Sequence, residues 1–300
     1  MQFFNSDTMN VDFIGKRRLF MIISVIAILV GLASLMVRGG LNYGIDFAGG
    51  TMVQVRFAKD VTPDDLRQAL AGVDLGDVSI QQFEDDEAHE FLIRVEKSKT
   101  GLVGLSDEIK VVLDKVFGSE NVDIRRVEMV GPKVGKDLRR QGMLAIIYAM
   151  IGILIYITVR FEFRFALGAI IALAHDVMIT VGVFALLDKE FSLPIVAALL
   201  AIVGYSLNDT IVVYDRIREN MKGLGKQNFI TTVNRSINQT ISRTVLTSLT
   251  TMLVLVSLFF LGGGVIHDFA FAMIVGVMIG TYSSIFIASP VVISMQSKKK

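Results

Sequence analysis

The chain contains no cysteine, which removes disulfide bonds, thiol nucleophiles and cysteine-ligated metals together and leaves the redox compartment open. It also lacks a surplus of charge of either sign. Thirty Lys plus Arg stand against 29 Asp plus Glu, for a net charge of +1, so no overall basic field marks nucleic acid as a partner. There is no HExxH or comparable ligand set, no nucleophile paired with a base and no nucleotide-binding loop. Gly131-Pro132-Lys133-Val134-Gly135 has no phosphate-loop context and reads as a hinge. No long internal repeat and no low-complexity tract is present. The sequence thus offers no basis for an enzyme, a bound metal or a cofactor. Apolar side chains are what it has in excess: 52% of its 300 residues are hydrophobic and the mean hydropathy is +0.58. Both exceed the range of ordinary soluble domains, so lipid is the expected solvent.

Runs of roughly twenty mostly apolar residues can cross a hydrocarbon core about 30 Å thick. Six occur, at 19–37, 143–160, 165–187, 195–215, 244–262 and 269–289. The first is too long for a signal-peptide core and is followed by Val37-Arg38-Gly39 rather than a small-x-small cleavage site, so it reads as a retained helix. Lys16, Arg17, Arg18, Arg160, Arg164, Arg216, Arg218, Lys222, Lys226, Arg235 and Lys298–Lys300 all flank one set of helix ends. The opposite short connections, 188–194 and 263–268, carry only Lys189. The positive-inside rule then places residues 1–18, 216–243 and 290–300 in the cytoplasm and residues 38–142 outside. Asn238-Gln239-Thr240 matches a glycosylation sequon but falls on the cytoplasmic side. Phe229, Val233 and Ile237 sit four apart in the polar segment 216–243, part of which is either an interfacial helix or a continuation of the fifth span.

The outside stretch reads as an α+β domain. Val53, Val55 and Phe57 alternate with polar residues as in a half-buried strand. Thr62-Pro63-Asp64-Asp65 gives an N-cap, a first-turn proline and an acidic third position, opening a helix to about Ala71. Val78 and Ile80, a turn at Glu84–Glu87, and Phe91, Ile93 and Val95 make a hairpin. Leu105, Ile109, Val112 and Val116 have helical spacing, and Val122 and Ile124 open a last strand. The order is βαββαβ, the ferredoxin-like split, inserted between the first and second spans.

An ionisable residue at the centre of a span costs about 2.5–3.5 kcal/mol on insertion scales and faces the bundle interior or water. His175 and Asp176 lie near the middle of the third span, and Asp209 lies in the cytoplasmic half of the fourth. Tyr205, Asn208 and Asp209 have i, i+3, i+4 spacing, and Arg243, Thr247 and Thr251 share a face of the fifth span beside Thr244 and Ser248. A polar cytoplasmic half and an apolar outer half suit a helix that admits water from the cytoplasm. Two readings stand for each group. Asp209 is a titrating carboxylate or a fixed buried ion pair. Arg243 is part of the same cluster or a snorkelling interfacial arginine, and His175 and Asp176 are functional or a hydrogen-bonded packing pair. Gly276, Gly280 and Ser284 form a small-xxx-small ridge for close helix packing.

Taken together, several segments resemble the SecF family of bacterial protein-export membrane proteins, itself similar to the resistance-nodulation-division exporters. They are Gly44-Ile45-Asp46-Phe47-Ala48-Gly49-Gly50, Gly131-Pro132-Lys133-Val134-Gly135, His175-Asp176-Val177 and the stretches 206–220, 242–251 and 268–290. The resemblance covers nearly the whole chain. It implies a polytopic α-helical protein of the bacterial inner membrane, the six-helix half of a resistance-nodulation-division-like bundle. It implies pairing with SecD in a twelve-helix unit, association with the SecYEG translocon and YajC, contact with unfolded preproteins and surrounding lipids, and use of the proton-motive force in late translocation. By the same resemblance Arg243 matches the family's proton-passage arginine, and Asp209 occupies the symmetry-equivalent carboxylate position. Proton coupling is thereby expected of Asp209, Arg243, Asp176, His175 and Asn208, with Asp46, Phe47, Gly49 and Gly50 as the motif of the outer domain. The alternative is half of an exporter of small hydrophobic molecules.

Overall fold

The computed structural model describes residues 11–73, 75, 78–82, 89–95, 102–222 and 228–297, and the chain divides into two compact units. One comprises residues 43–142, the other residues 1–42 with 143–300.

In the smaller unit a short helix α2 (Ile45–Ala48) leads into strand β1 (Gly50–Phe57). Helix α3 (Pro63–Leu70), strands β2 (Val78–Gln82) and β3 (Glu90–Val95), helix α4 (Leu102–Phe117) and strand β4 (Val122–Val130) follow. The sheet order is β2-β3-β1-β4 and every pairing is antiparallel. Alternation dictates the core: Val53, Val55, Phe57, Phe91, Ile93 and Val95 are each 1% exposed or less and point to one face, where they meet Leu66 and Leu70 of α3. Helix α4 contributes Leu105, Ile109 and Leu113. The spacing predicts Val112 and Val116 on that stripe as well; Val112 is half-buried and packs against this core, but Val116 is 57% exposed. A strict i, i+4 row holds the face here, and Leu113 takes the position. The turn expected at Glu84–Glu87 lies outside the described residues.

Thr62 caps α3 as its sequence predicts. Its hydroxyl accepts from the Asp65 amide, while the Asp65 carboxylate accepts from the Thr62 amide at 3.0 Å and from the Thr62 hydroxyl at 2.6 Å. Gly131–Gly135 is not a hinge loop. Pro132 opens a continuous helix, α5 (Pro132–Arg160), a position where the missing proline N–H goes unneeded.

Among the described residues, the larger unit is built of helices: α1 (Arg17–Val37), the second half of α5, α6 (Phe163–Leu186), α7 (Leu193–Lys222), α8 (Phe229–Leu261), α9 (Gly263–Ser283) and α10 (Ser289–Ser297). A π-helical turn, Ser284–Ala288, joins α9 to α10. Among the described residues, six helical stretches are long and apolar enough to cross a membrane. Helices α6, α7 and α9 are central, whereas α1, α5 and α8 bury far less of their surface. Much of the segment 216–243 is helix: α7 continues to Lys222, and α8 begins at Phe229, well before its apolar run. Hydrogen bonding sets helix length, and hydropathy does not interrupt it. Close crossings use glycine. A Cβ built on Gly31 of α1 would lie 2.8 Å from the Cα of Gly182 on α6, and one on Gly280 of α9 would lie 2.8 Å from the Cβ of Ser206 on α7. On Gly276 it would strike the Ile202 side chain. Ser284, third on that ridge, is buried in the π turn.

Candidate functional site

Asp176 sits where the three central helices meet and is fully buried. Its Oδ2 accepts from Ser206 of α7 at 2.6 Å and from Ser283 of α9 at 2.8 Å. Its Oδ1 lies 2.8 Å from Nδ1 of His175. Three partners from α6, α7 and α9 thus converge on one carboxyl group, which buried polar groups require if they are to offset desolvation. With Nδ1 donating to the carboxylate, Nε2 is the open nitrogen of His175. It is buried and has no hydrogen-bond partner. The imidazole stacks against Tyr282 with centroids 6.1 Å apart. Tyr282 in turn donates to the Phe20 carbonyl at 2.6 Å and shares a 2.9 Å hydrogen bond with Ser24, which ties α1 into the network.

Asp209 lies on the same buried face of α7 as Ser206, three residues further on. It is 2% exposed, and its Oδ2 is without a hydrogen-bond partner, as are the Tyr205 and Thr210 hydroxyls of α7 and that of Thr244 on α8. Arg243 supplies the positive charge acting on Asp209, yet among the described residues the two form no ion pair. Adjacent residues on a helix diverge by about 100°, and this splits the cluster the spacing had joined. Asn208 and Arg243 are exposed on the outside of the unit, while Asp209 and Thr244 point inward. The same divergence would keep His175 and Asp176 apart, but the short reach of Nδ1 back to the neighbouring carboxylate closes it. Ser283 is the partner that sequence reasoning missed. It lies one residue from the expected Ser284, inside a stretch read as a packing ridge, and only its approach to Asp176 marks it out.

In the smaller unit the two glycine motifs meet. Gly49 and Gly50 have φ of 80° and 122°, a region open to glycine and strained for other residues. A Cβ on Gly49 would lie 2.9 Å from the Cα of Pro132, and one on Gly135 would lie 3.0 Å from the Phe47 carbonyl oxygen. Ile45 and Phe47 are buried, each 3% exposed. Asp46 stands in the first turn of α2, where its charge suits the helix N-terminus.

A six-span helical membrane protein with buried carboxyl groups in its central helices, and a small antiparallel α+β unit after the first span, is the class this architecture defines. Residues 109–298 match the profile of the protein export membrane protein SecD/SecF C-terminal family, and residues 34–61 match that of the SecD/SecF GG motif. The protein translocase subunit SecF of Magnetococcus marinus is 55% identical over 298 residues, covering 98% of this chain and 94% of its own. That of Calditerrivibrio nitroreducens is 48% identical, covering 97% and 96%. The crystal structure of SecDF from Thermus thermophilus, described as a translocon-associated membrane protein, superposes with a TM-score of 0.87 at 39% identity. It accounts for 98% of this chain, which spans 40% of that longer one. The chain belongs to the SecD/SecF family of protein-export membrane proteins, on its SecF side.

Proposed function

We propose that this chain is the SecF half of a SecD–SecF unit that uses the proton-motive force to promote late stages of protein translocation across the bacterial cytoplasmic membrane. The observation that carries the reading is the exposure of Asn208 and Arg243 beside the buried Asp209, whose Oδ2 has no partner. Polar and charged groups facing lipid are costly, so a second bundle belongs against that face. Ala197, Ala201 and Gly204 form an exposed stripe with Asn208 on α7, and nothing lies within 4 Å of a Cβ on Gly204. A helix of SecD fits there. The SecDF relative supports this partner, since one chain there is long enough to hold both halves. Its description as translocon-associated supports SecYEG, and with it YajC and unfolded preproteins, as further partners. The chain acts as a transport subunit and not as an enzyme.

Both termini lie inside and residues 38–142 outside, a reading supported by the one-sided distribution of Lys and Arg. The strand order and antiparallel pairing of the smaller unit support a ferredoxin-like outer domain. Within the bundle Asp209 exchanges the proton, because helix movement that changes its burial or the distance of a cation changes its proton affinity. Arg243 stays charged throughout. Asn208 lines the approach, and the His175–Asp176 node joins the helices that respond. The test is gradient-stimulated completion of translocation into membrane vesicles, with SecD–SecF yield measured in parallel. Arg243→Ala should abolish the stimulation at normal yield, Arg243→Lys should retain part of it, and Asp209→Asn should match Arg243→Ala. Full stimulation in Arg243→Ala reduces that residue to a snorkelling cation. A loss of yield that parallels the loss of export makes the cluster structural.

A further inference from the structure

Ahead of α1, residues 11–16 lie along the cytoplasmic extension of α8 and are held there by two asparagine side chains one helical turn apart. Oδ1 of Asn234 accepts from the amides of Phe13 and Ile14 at 2.9 and 3.1 Å, and its Nδ2 donates to the Val11 carbonyl at 3.0 Å. Asn238, 3% exposed, accepts from the Val11 amide and donates to the Val11 carbonyl, both at 2.9 Å. Five side-chain hydrogen bonds therefore hold a stretch of backbone that forms no helix or strand of its own. The clamp seats Ile14, 1% exposed, among Ile157, Phe161, Tyr214, Ile217, Val233 and Ile237. The segment then turns directly into α1, with Arg17 bonded back to the Ile14 carbonyl through both its amide and its guanidinium. Asn238 precedes Arg243 by five residues, about 7.5 Å along the helix axis. Neither asparagine has a part in the proton-linked cluster, and Asn238 attracts notice in the sequence only as a sequon on the wrong side of the membrane.

We propose that Asn234 and Asn238 are positioning residues that strap α1 to the turn of α8 preceding Arg243, so that the two helices move as one body. The inference rests on the reading above that helix movement changes the distance of a cation from Asp209, and it adds a second helix that moves with the one carrying Arg243. A loop merely lying on α8 could slide when α8 moves. A bidentate clamp at two successive turns, with a buried isoleucine as its peg, resists sliding and forces α1 to follow.

The experiment uses the intact SecD–SecF complex, with a cysteine-free SecD, and exploits the absence of cysteine from this chain. Asn234→Ala/Asn238→Ala should speed amide hydrogen exchange across residues 11–16 by roughly tenfold or more, since all five side-chain hydrogen bonds are lost. Gradient-stimulated export should fall by a similar factor while complex yield holds. Joining positions 11 and 238 through a short thiol cross-linker, in Val11→Cys/Asn238→Cys with Asn234→Ala, should restore stimulation that the unlinked protein lacks. A purely structural clamp would give no such rescue at constant yield. The proposal is overturned if the double alanine variant exports normally despite its faster exchange, or if the cross-link itself blocks export, since the strap would then have to leave α8. Exchange and cross-link rescue do not depend on Arg243. Wild-type export by Arg243→Ala, together with rescue of the clamp variant, would therefore sink the coupling reading and uphold the strap.

Discussion

Replacing Gly280 with alanine tests whether packing and the buried network are one system. The added Cβ would lie 2.8 Å from Ser206 Cβ and 3.1 Å from Ser206 Oγ. Carbon atoms in ordinary contact stand about 3.5–4.0 Å apart, so the shortfall is roughly 0.7–1.2 Å. Either α7 backs away from α9 or the Ser206 side chain turns. Turning the side chain loses its 2.6 Å bond to Asp176, and a shift of that size would stretch the same bond beyond good geometry. Overpacking costs about 1–3 kcal/mol, and an underbonded buried acceptor adds about 1–3 kcal/mol. Against these stands at most about 1 kcal/mol from better helix propensity. A net loss of about 1–5 kcal/mol is therefore expected, read as an earlier transition when the purified complex is titrated with SDS in mixed micelles, together with reduced gradient-stimulated export. Gly152→Ala is the control, because nothing lies within 4 Å of its Cβ, and it should unfold like the parent. If Gly280→Ala unfolds no earlier than Gly152→Ala and exports normally, the coupling between ridge and network is wrong.

Gly204→Leu meets open space within this chain and should leave its own fold intact yet cut recovery of the SecD complex by about tenfold or more, the equivalent of overpacking one interface position; unchanged co-purification would remove α7 from the interface. Hydrogen bonds from the Thr62 side chain and backbone hold the Asp65 carboxyl below the usual carboxylate range. A lowered folded-state pKa gives stabilisation that is complete above the ordinary carboxylate range and is lost as pH falls through the lowered value. Exchange protection of α3 should drop over that acidic interval, and Asp65→Asn should remove the pH dependence; identical profiles would contradict the capping account. Lys115→Cys and Glu219→Cys should be labelled by an impermeant reagent from opposite sides of the membrane, and labelling from one side would overturn the proposed topology.

Much of this was legible in advance, for physical reasons that differ by element. Strand alternation marked Val53, Val55 and Phe57, and the Thr62–Asp65 box marked the start of α3, because both signals are local. Asp176 and Asp209 stood out because a carboxyl group in an apolar run is expensive. Ser283 did not stand out, because it bonds to Asp176 from a helix 107 residues away, and a serine among the small residues of a packing ridge has no local signature. Val116 was misplaced because i+3 and i+4 spacings both satisfy helical periodicity, and only the sheet beneath decides which row is covered. Asn208 was grouped with Asp209 by spacing, yet one residue of rotation separates a group facing out from one facing in. The asparagine clamp was invisible because its partner is backbone.

The π turn at Ser284–Ala288 has a consequence for how the last span is built. One extra residue is accommodated in the turn, with Ser289 Oγ returning to the Ser284 carbonyl at 2.9 Å and Tyr214 donating to the Ala288 carbonyl at 3.3 Å. A single inserted residue rotates everything after it by about 100° relative to a straight helix. Gly276 and Gly280 address α7, whereas Val292 and Ile293 pack with Phe165 and Tyr214. The last span is thus a helix of 21 residues and a second of 9 with independent phases, each fitted to its own neighbours. Excising one residue from 284–288 would restore a regular helix and swing the terminal turns off their seat, leaving the contacts that precede the π turn where they are.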